Sequence, residues 1–165
     1  MCSVISKKDS ARTILKVLDA SGSVGLLLDQ NTIPQEGVFA EFFGLPASTS
    51  SGVALLALRK DAIVLPGYLS PLKRGRYKIK FLPPLSLIRT GDTVQDVNAN
   101  TLLFNRVLES IVREQPDSWL WGHKRWSFQE QGPPGELYRL TEDKLEAYLK
   151  EKKRNPFPLA PGAGP

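Results

Sequence analysis

The order of residue patterns along the chain predicts an α/β fold. Three observations carry that expectation. Residues 10–20 and 97–113 repeat their apolar side chains at helical spacing. Residues 24–28 and 62–68 are short, continuously apolar runs of the kind that form strands buried on both faces. Tyr77, Ile79 and Phe81 alternate with Lys78 and Lys80, the pattern of a half-buried strand. The 165 residues suit a single domain.

The elements follow in order. Asp9 or Ser10 can cap a first helix, whose stripe is Ile14, Leu15 and Leu18 and whose end is marked by Gly22. The strand at 24–28 runs into a loop at Asp29 and Gln30, the kind of strand end where ligand-handling residues collect. Residues 31–36, with Pro34, read as a connector, and residues 37–44 as an apolar, aromatic stretch bounded by Gly37 and Gly44. The run from Pro46 to Ser51 offers caps for a helix over 50–60, apolar almost all round and so expected to be buried. The strand at 62–68 is interrupted by Pro66 and Gly67, and Pro83 and Pro84 close the alternating strand. The helix over 97–113 carries Leu103, Phe104, Val107, Leu108 and Ile111 on one face and Arg106, Glu109, Ser110 and Arg113 on the other. Pro116 stops it, and an aromatic and basic cluster follows: Trp119, Trp121, His123, Lys124, Arg125, Trp126. A charged helix is expected over about 142–153, with Glu142 and Asp143 in its first turn and Lys150, Lys152 and Lys153 in its last, and a disordered Pro/Gly-rich tail over 155–165.

Composition excludes several classes. Cys2 is the single cysteine, so no internal disulfide forms; with one histidine besides, no zinc-ligand set is available. There is neither a phosphate loop nor a Gly-x-Ser-x-Gly elbow. No metal and no cofactor are expected. The longest apolar stretch, 53–58, is far below the ~20 residues of a spanning helix, and residues 1–12 show no signal-peptide pattern. The formal net charge is +5, and between Arg59 and Lys80 seven basic residues face one acid, Asp61. Such a stretch is either a solvated face or a surface for an anionic partner. No groove-reading motif accompanies it, so nucleic acid is not an expected partner.

Two blocks carry a resemblance. The first is Asp29-Gln30, then the run from Gly37 to Gly44 with Phe39 and Phe43, then Pro46-Ala47-x-Thr49. The second is Asn105-x3-Glu109-x3-Arg113, then Gln115-Pro116 and Trp119-x-Trp121-x-His123-Lys124-Arg125-Trp126. In this order and spacing they resemble the C-terminal part of the lipid A biosynthesis (lauroyl/myristoyl) acyltransferase family. The resemblance implies the C-terminal portion of a glycerolipid-acyltransferase-like α/β domain with a mixed sheet, over residues 1–127, with 128–154 as a charged helical extension. It also implies transfer of a fatty acyl group from acyl carrier protein, or acyl-coenzyme A, to a hydroxyl of a lipid A precursor at the cytoplasmic face of the bacterial inner membrane. The alternative is a non-catalytic remnant acting as a basic module that binds a membrane surface or an acidic protein.

The family's general base is a histidine in an H-x4-[D/E] motif, expected in an N-terminal half. Here the single histidine, His123, is followed after four residues by Phe128, which is not acidic, so no catalytic residue is assigned within these 165 residues. Glu41 and Ser127 also depart from the family's pattern. The candidate substrate-binding residues are Asp29, Gln30, Gly37, Phe39, Phe43, Gly44, Thr49, Arg74, Arg76, His123, Arg125 and Trp126. Among these, the Phe side chains are candidates for an acyl groove and the Arg side chains for lipid phosphate or carrier contacts.

Overall fold

The computed structural model describes residues 3–6 and 10–128, together with Ala147 and Lys150. The expected charged helix and tail lie outside the described residues, apart from Ala147 and Lys150, which are helical and exposed.

Helix α1 (Ser10–Asp19) forms as its apolar stripe requires, with Ile14 buried. Its C-terminal left-handed residue is Ser21, at φ 56°, rather than Gly22. The Ser21 N–H donates to the Leu18 carbonyl and the Gly22 N–H to that of Val17, the two bonds of a Schellman close. Glycine is needed at 22 for space, since a Cβ there would lie 2.7 Å from the Val17 side chain. Strands β1 (Gly37–Phe42) and β2 (Leu45–Ser50) make an antiparallel hairpin with Phe42 opposite Leu45. Phe43 and Gly44 form its turn, at φ 52° and 77°; a two-residue type I′ turn requires positive φ at both positions. Residues 46–51, read from sequence as a set of helix caps, are therefore mostly strand. Only Ser51 precedes helix α2 (Gly52–Lys60), and it makes no side-chain cap bond.

Strands β3 (Gly67–Pro71) and β4 (Tyr77–Phe81) form a second antiparallel hairpin, and helix α3 (Thr93–Glu114) follows. Helix α3 starts four residues before the apolar period suggests because Asp92 caps it, accepting from the N–H groups of Val94 and Gln95 at 2.8 and 3.0 Å. The core lies where β1–β2 packs on α3. Phe42, Ala47 and Val112 are buried there, with Leu108, Trp119 and Trp126 against them.

Helices and strands are both present, but the sheet differs from the expectation. Instead of one mixed sheet, the described residues hold two separate two-stranded antiparallel sheets. Residues 24–28 form no strand, and Leu27 is 89% exposed. Residues 62–66 form none either: β3 starts only at Gly67, and Ile63 is 82% exposed. A continuously apolar run becomes a strand only beside a partner, and among the described residues 24–28 have no backbone hydrogen bond to another segment. Residues 64–66 are partly paired, through Leu85 N–H to the Val64 carbonyl and Leu82 N–H to that of Pro66. Helix α2 is not wholly buried as expected: Ala54 and Ala57 are inside, whereas Leu55 is exposed. The alternation in β4 is present, but the side it buries is reversed: Lys80 is half-buried while Tyr77, Ile79 and Phe81 are exposed. Among the described residues no helix is long and apolar enough to cross a membrane.

Candidate functional site

The two sequence blocks meet at one junction between β2, α3 and the loop over 119–126. Arg125 is fully buried there. Its Nη1 donates to the Ser48 carbonyl at 2.9 Å, and its Nη2 to the Thr49 hydroxyl at 2.7 Å and to Asn105 Oδ1 at 3.3 Å. The guanidinium also lies over the Phe42 ring, 5.2 Å from its centroid. Asn105 Nδ2 donates to the Glu41 carbonyl at 3.1 Å and to Thr49 Oγ1 at 3.1 Å, and the Thr49 hydroxyl donates to the Ala47 carbonyl at 3.0 Å. A buried cation is retained when its donors find acceptors, and here backbone, hydroxyl and amide oxygens accept from Nη1 and Nη2. The indole N–H of Trp126 donates to the Phe42 carbonyl at 3.3 Å, closing the same junction.

Glu109 holds the turn of β1–β2. Its Oε1 accepts the Phe43 N–H at 2.7 Å, and Arg113 lies 4.7 Å over the Phe43 ring. A left-handed aromatic residue is strained, and this charge-assisted bond offsets part of that cost. The apolar period of α3 placed Glu109 on the solvent face, but its side chain is only 17% exposed. Gly37 sits where β1 passes β2: a Cβ there would lie 2.5 Å from the Thr49 carbonyl oxygen.

A second feature is an open, mainly apolar groove of about 1120 Å³ beside α3, bordering the core at Leu108, Val112 and Trp119. Leu28, Leu56, Ile63, Leu65, Phe104 and Leu108 are among its lining residues. Phe39 and Phe43, read from sequence as candidate groove residues, do not line it, and neither does Phe42. Phe42 is in the core, and Phe43 packs edge-on against it with ring centroids 4.8 Å apart.

The remaining candidates are dispersed. Asp29 lines the groove, whereas Gln30 is exposed. Arg74 and Arg76 are exposed on the turn between β3 and β4. His123 is half-buried, and its Nε2 has no hydrogen-bond partner among the described residues. Among the described residues no three His, Cys, Asp or Glu side chains form a group able to hold a metal ion.

Two electrostatic features stiffen the frame of α3. At its C-terminal end Glu114 accepts from Tyr68 Oη at 2.5 Å and from Lys80 Nζ at 2.8 Å. These bonds hold the Glu114 carboxyl below its usual pKa and Lys80 above its own. At the other end Asp96 accepts the Thr90 N–H at 2.6 Å and the Thr90 hydroxyl at 2.8 Å, the first being the main reason its pKa is lowered. Asn100, fully buried, exchanges two bonds with the Ile88 backbone at 2.8 and 2.9 Å. Sequence reasoning missed Asp92, Asp96, Asn100 and the inward role of Glu109. Asp92 had a signal, the capping pair Asp92 and Gln95 three residues apart; the others depend on which loop crosses the helix.

Residues 2–127 match the family model of the bacterial lipid A biosynthesis acyltransferases. The chain is also 25% identical over 134 residues to the lipid A biosynthesis lauroyltransferase of Escherichia coli (strain K12). That match covers 80% of this chain and 42% of the relative, so the chain spans less than half the relative's length.

Proposed function

Since the chain belongs to the bacterial lipid A biosynthesis acyltransferase family, we propose that it forms part of an enzyme moving a fatty acyl group from acyl carrier protein to a hydroxyl of a lipid A precursor. Acyl-coenzyme A is the other thioester donor this chemistry accepts. The observation that carries the reading is the family match over 2–127, which takes in both blocks joined at Arg125. The groove beside α3 supports it: an acyl chain needs a long apolar trough, and pocket volumes for small ligands run to roughly 1,000 Å³.

Such a transfer needs a base to take the proton of the attacking hydroxyl and donors to steady the oxyanion of the thioester. His123 is poorly suited to be that base, because its Nε2 is buried away from solvent. In this reading the chain supplies acyl binding and framework, and the general base lies outside these residues. The test has two arms on the purified full chain. The first measures displacement of a fluorescent fatty acid by lauroyl acyl carrier protein, with Leu56→Glu in the groove expected to weaken binding more than about tenfold. The second measures acyl transfer to a lipid A precursor, expected to stay at background. Fatty-acid binding that Leu56→Glu leaves unchanged removes the groove from the proposal. Turnover lost in His123→Ala refutes the placement of the base.

One observation favours a second reading, a non-catalytic module that binds an anionic surface. Lys73, Arg74 and Arg76 are exposed together and make no ion pair among the described residues.

A further inference from the structure

The β3–β4 hairpin is tethered to the end of α3 by polar contacts. In its register Leu69 faces Ile79, Pro71 faces Tyr77, and Gly67 faces Phe81. Cross-strand partners share a face of a sheet, so these six residues form one side and Tyr68, Ser70, Lys78 and Lys80 the other. The polar side is the one held to α3, through Tyr68 and Lys80 on Glu114. The apolar side is open to solvent, with Leu69 56%, Tyr77 64%, Ile79 60% and Phe81 66% exposed; Leu69 and Phe81 also edge the groove beside α3, whereas Tyr77 and Ile79 do not line it. Leu72, beside the tip, is exposed as well. The tip holds Lys73, Arg74 and Arg76, all exposed and without a carboxylate partner among the described residues.

We propose that this hairpin is a docking surface for an anionic lipid bilayer, its apolar side entering the headgroup–acyl boundary and its tip cations contacting lipid phosphates. The proposal rests on the second reading above, whose anionic surface it names as a bilayer and whose binding element it names as the hairpin, and it does not depend on acyl transfer. The two halves of the surface suit one occupant. An apolar side rimmed by cations matches a negatively charged interface, where apolar area and basic side chains add. Tyr77 presents the amphipathic ring that settles at headgroup depth. The strands pair with each other and the Gln115 amide donates to the Leu69 carbonyl at 3.2 Å, so an interfacial position strips few backbone groups of partners. A second copy docked on the same side would bring further cations and no carboxylate to meet them.

The full chain is sedimented with phosphatidylcholine vesicles, with and without phosphatidylglycerol, at low and high salt. Binding is expected only with phosphatidylglycerol and is reversed by salt. Changing Lys73, Arg74 and Arg76 together to Gln is expected to weaken it on the order of 100-fold, at the usual contribution per basic residue near a charged surface. Changing Tyr77 and Ile79 to Ser, with the tip intact, is expected to cost more than about tenfold. A second measurement avoids variants that fail to fold. Ile79→Cys in a Cys2→Ser background carries a polarity-sensitive dye, and its emission is expected to shift blue on anionic vesicles, whereas the same dye at Arg12→Cys on α1 does not shift. Equal binding to both vesicle types overturns the proposal, as do no binding, unshifted emission at Ile79→Cys, or equal shifts at both labels. So does a stable dimer that needs Tyr77 and Ile79, which gives the surface to a second copy.

Discussion

Arg125 is the residue on which the polar contacts of the junction converge, and its effect is stabilising only as part of a set. Removing it takes a donor from the Ser48 carbonyl, the Thr49 hydroxyl and Asn105 Oδ1 in a buried site, although the Thr32 N–H still serves the first and Asn105 Nδ2 the second. Arg125→Met keeps the apolar stem and removes the donors. It is expected to cost about 2–4 kcal/mol, since a hydrogen bond to a charged group is worth about 1.5–3 kcal/mol and a buried unsatisfied group costs about 1–3. Chemical denaturation of the variant measures it. A cycle pairing Arg125→Met with Thr49→Val is expected to be non-additive, because each change breaks the same Arg125–Thr49 bond. A loss below about 0.5 kcal/mol would mean that the junction is held by the Phe42 and Trp126 packing alone.

Helix α3 is the element on which both functional features depend, the junction and the groove beside it. Its N-terminal turn is tied down by Asp92 and Asp96. The folded pKa of Asp96 lies below its ordinary value near 3.8. Its contribution is therefore complete above that ordinary value and is lost as pH falls through the lower folded one. Glu114, also held low by Lys80 and Tyr68, acts with the same sign at the other end of the helix. The chain is thus expected to lose stability below about pH 4. Asp96→Asn is expected to be less stable than the parent at neutral pH and to show a flatter acid limb. Thermal unfolding midpoints across pH 2–7 check this. Parallel curves for parent and variant would show that the Thr90 contacts make no net contribution.

Across the whole molecule the main fact is an excess of exposed apolar surface. Leu26 and Leu27, Ile63 and Leu65, and the outward side of β3–β4 are all exposed to solvent. The isolated chain is therefore expected to be marginally stable and to bind an apolar-surface dye before unfolding. Dye titration and thermal unfolding measure the two effects. A dye-silent monomer with one sharp cooperative transition would show that these surfaces are covered in solution.

The sequence alone determined the helices α1 and α3, the family blocks and the basic stretch, part of which lies on β3–β4. Each is encoded within a short window, by a period of 3.6, a spaced motif or a run of charge. It also marked Thr49, Arg125 and Trp126, though not that Arg125 would join β2 to α3 from 76 residues beyond Thr49. Only the tertiary structure decided which apolar runs became strands. Residues 24–28 and 62–66 have the composition of buried strands, yet a strand exists only when another supplies hydrogen-bond partners, and local composition cannot say whether one is adjacent. The same reason reversed β4. Alternation fixes that Tyr77, Ile79 and Phe81 share a side, but which side meets α3 was settled by Glu114 binding Lys80 and Tyr68.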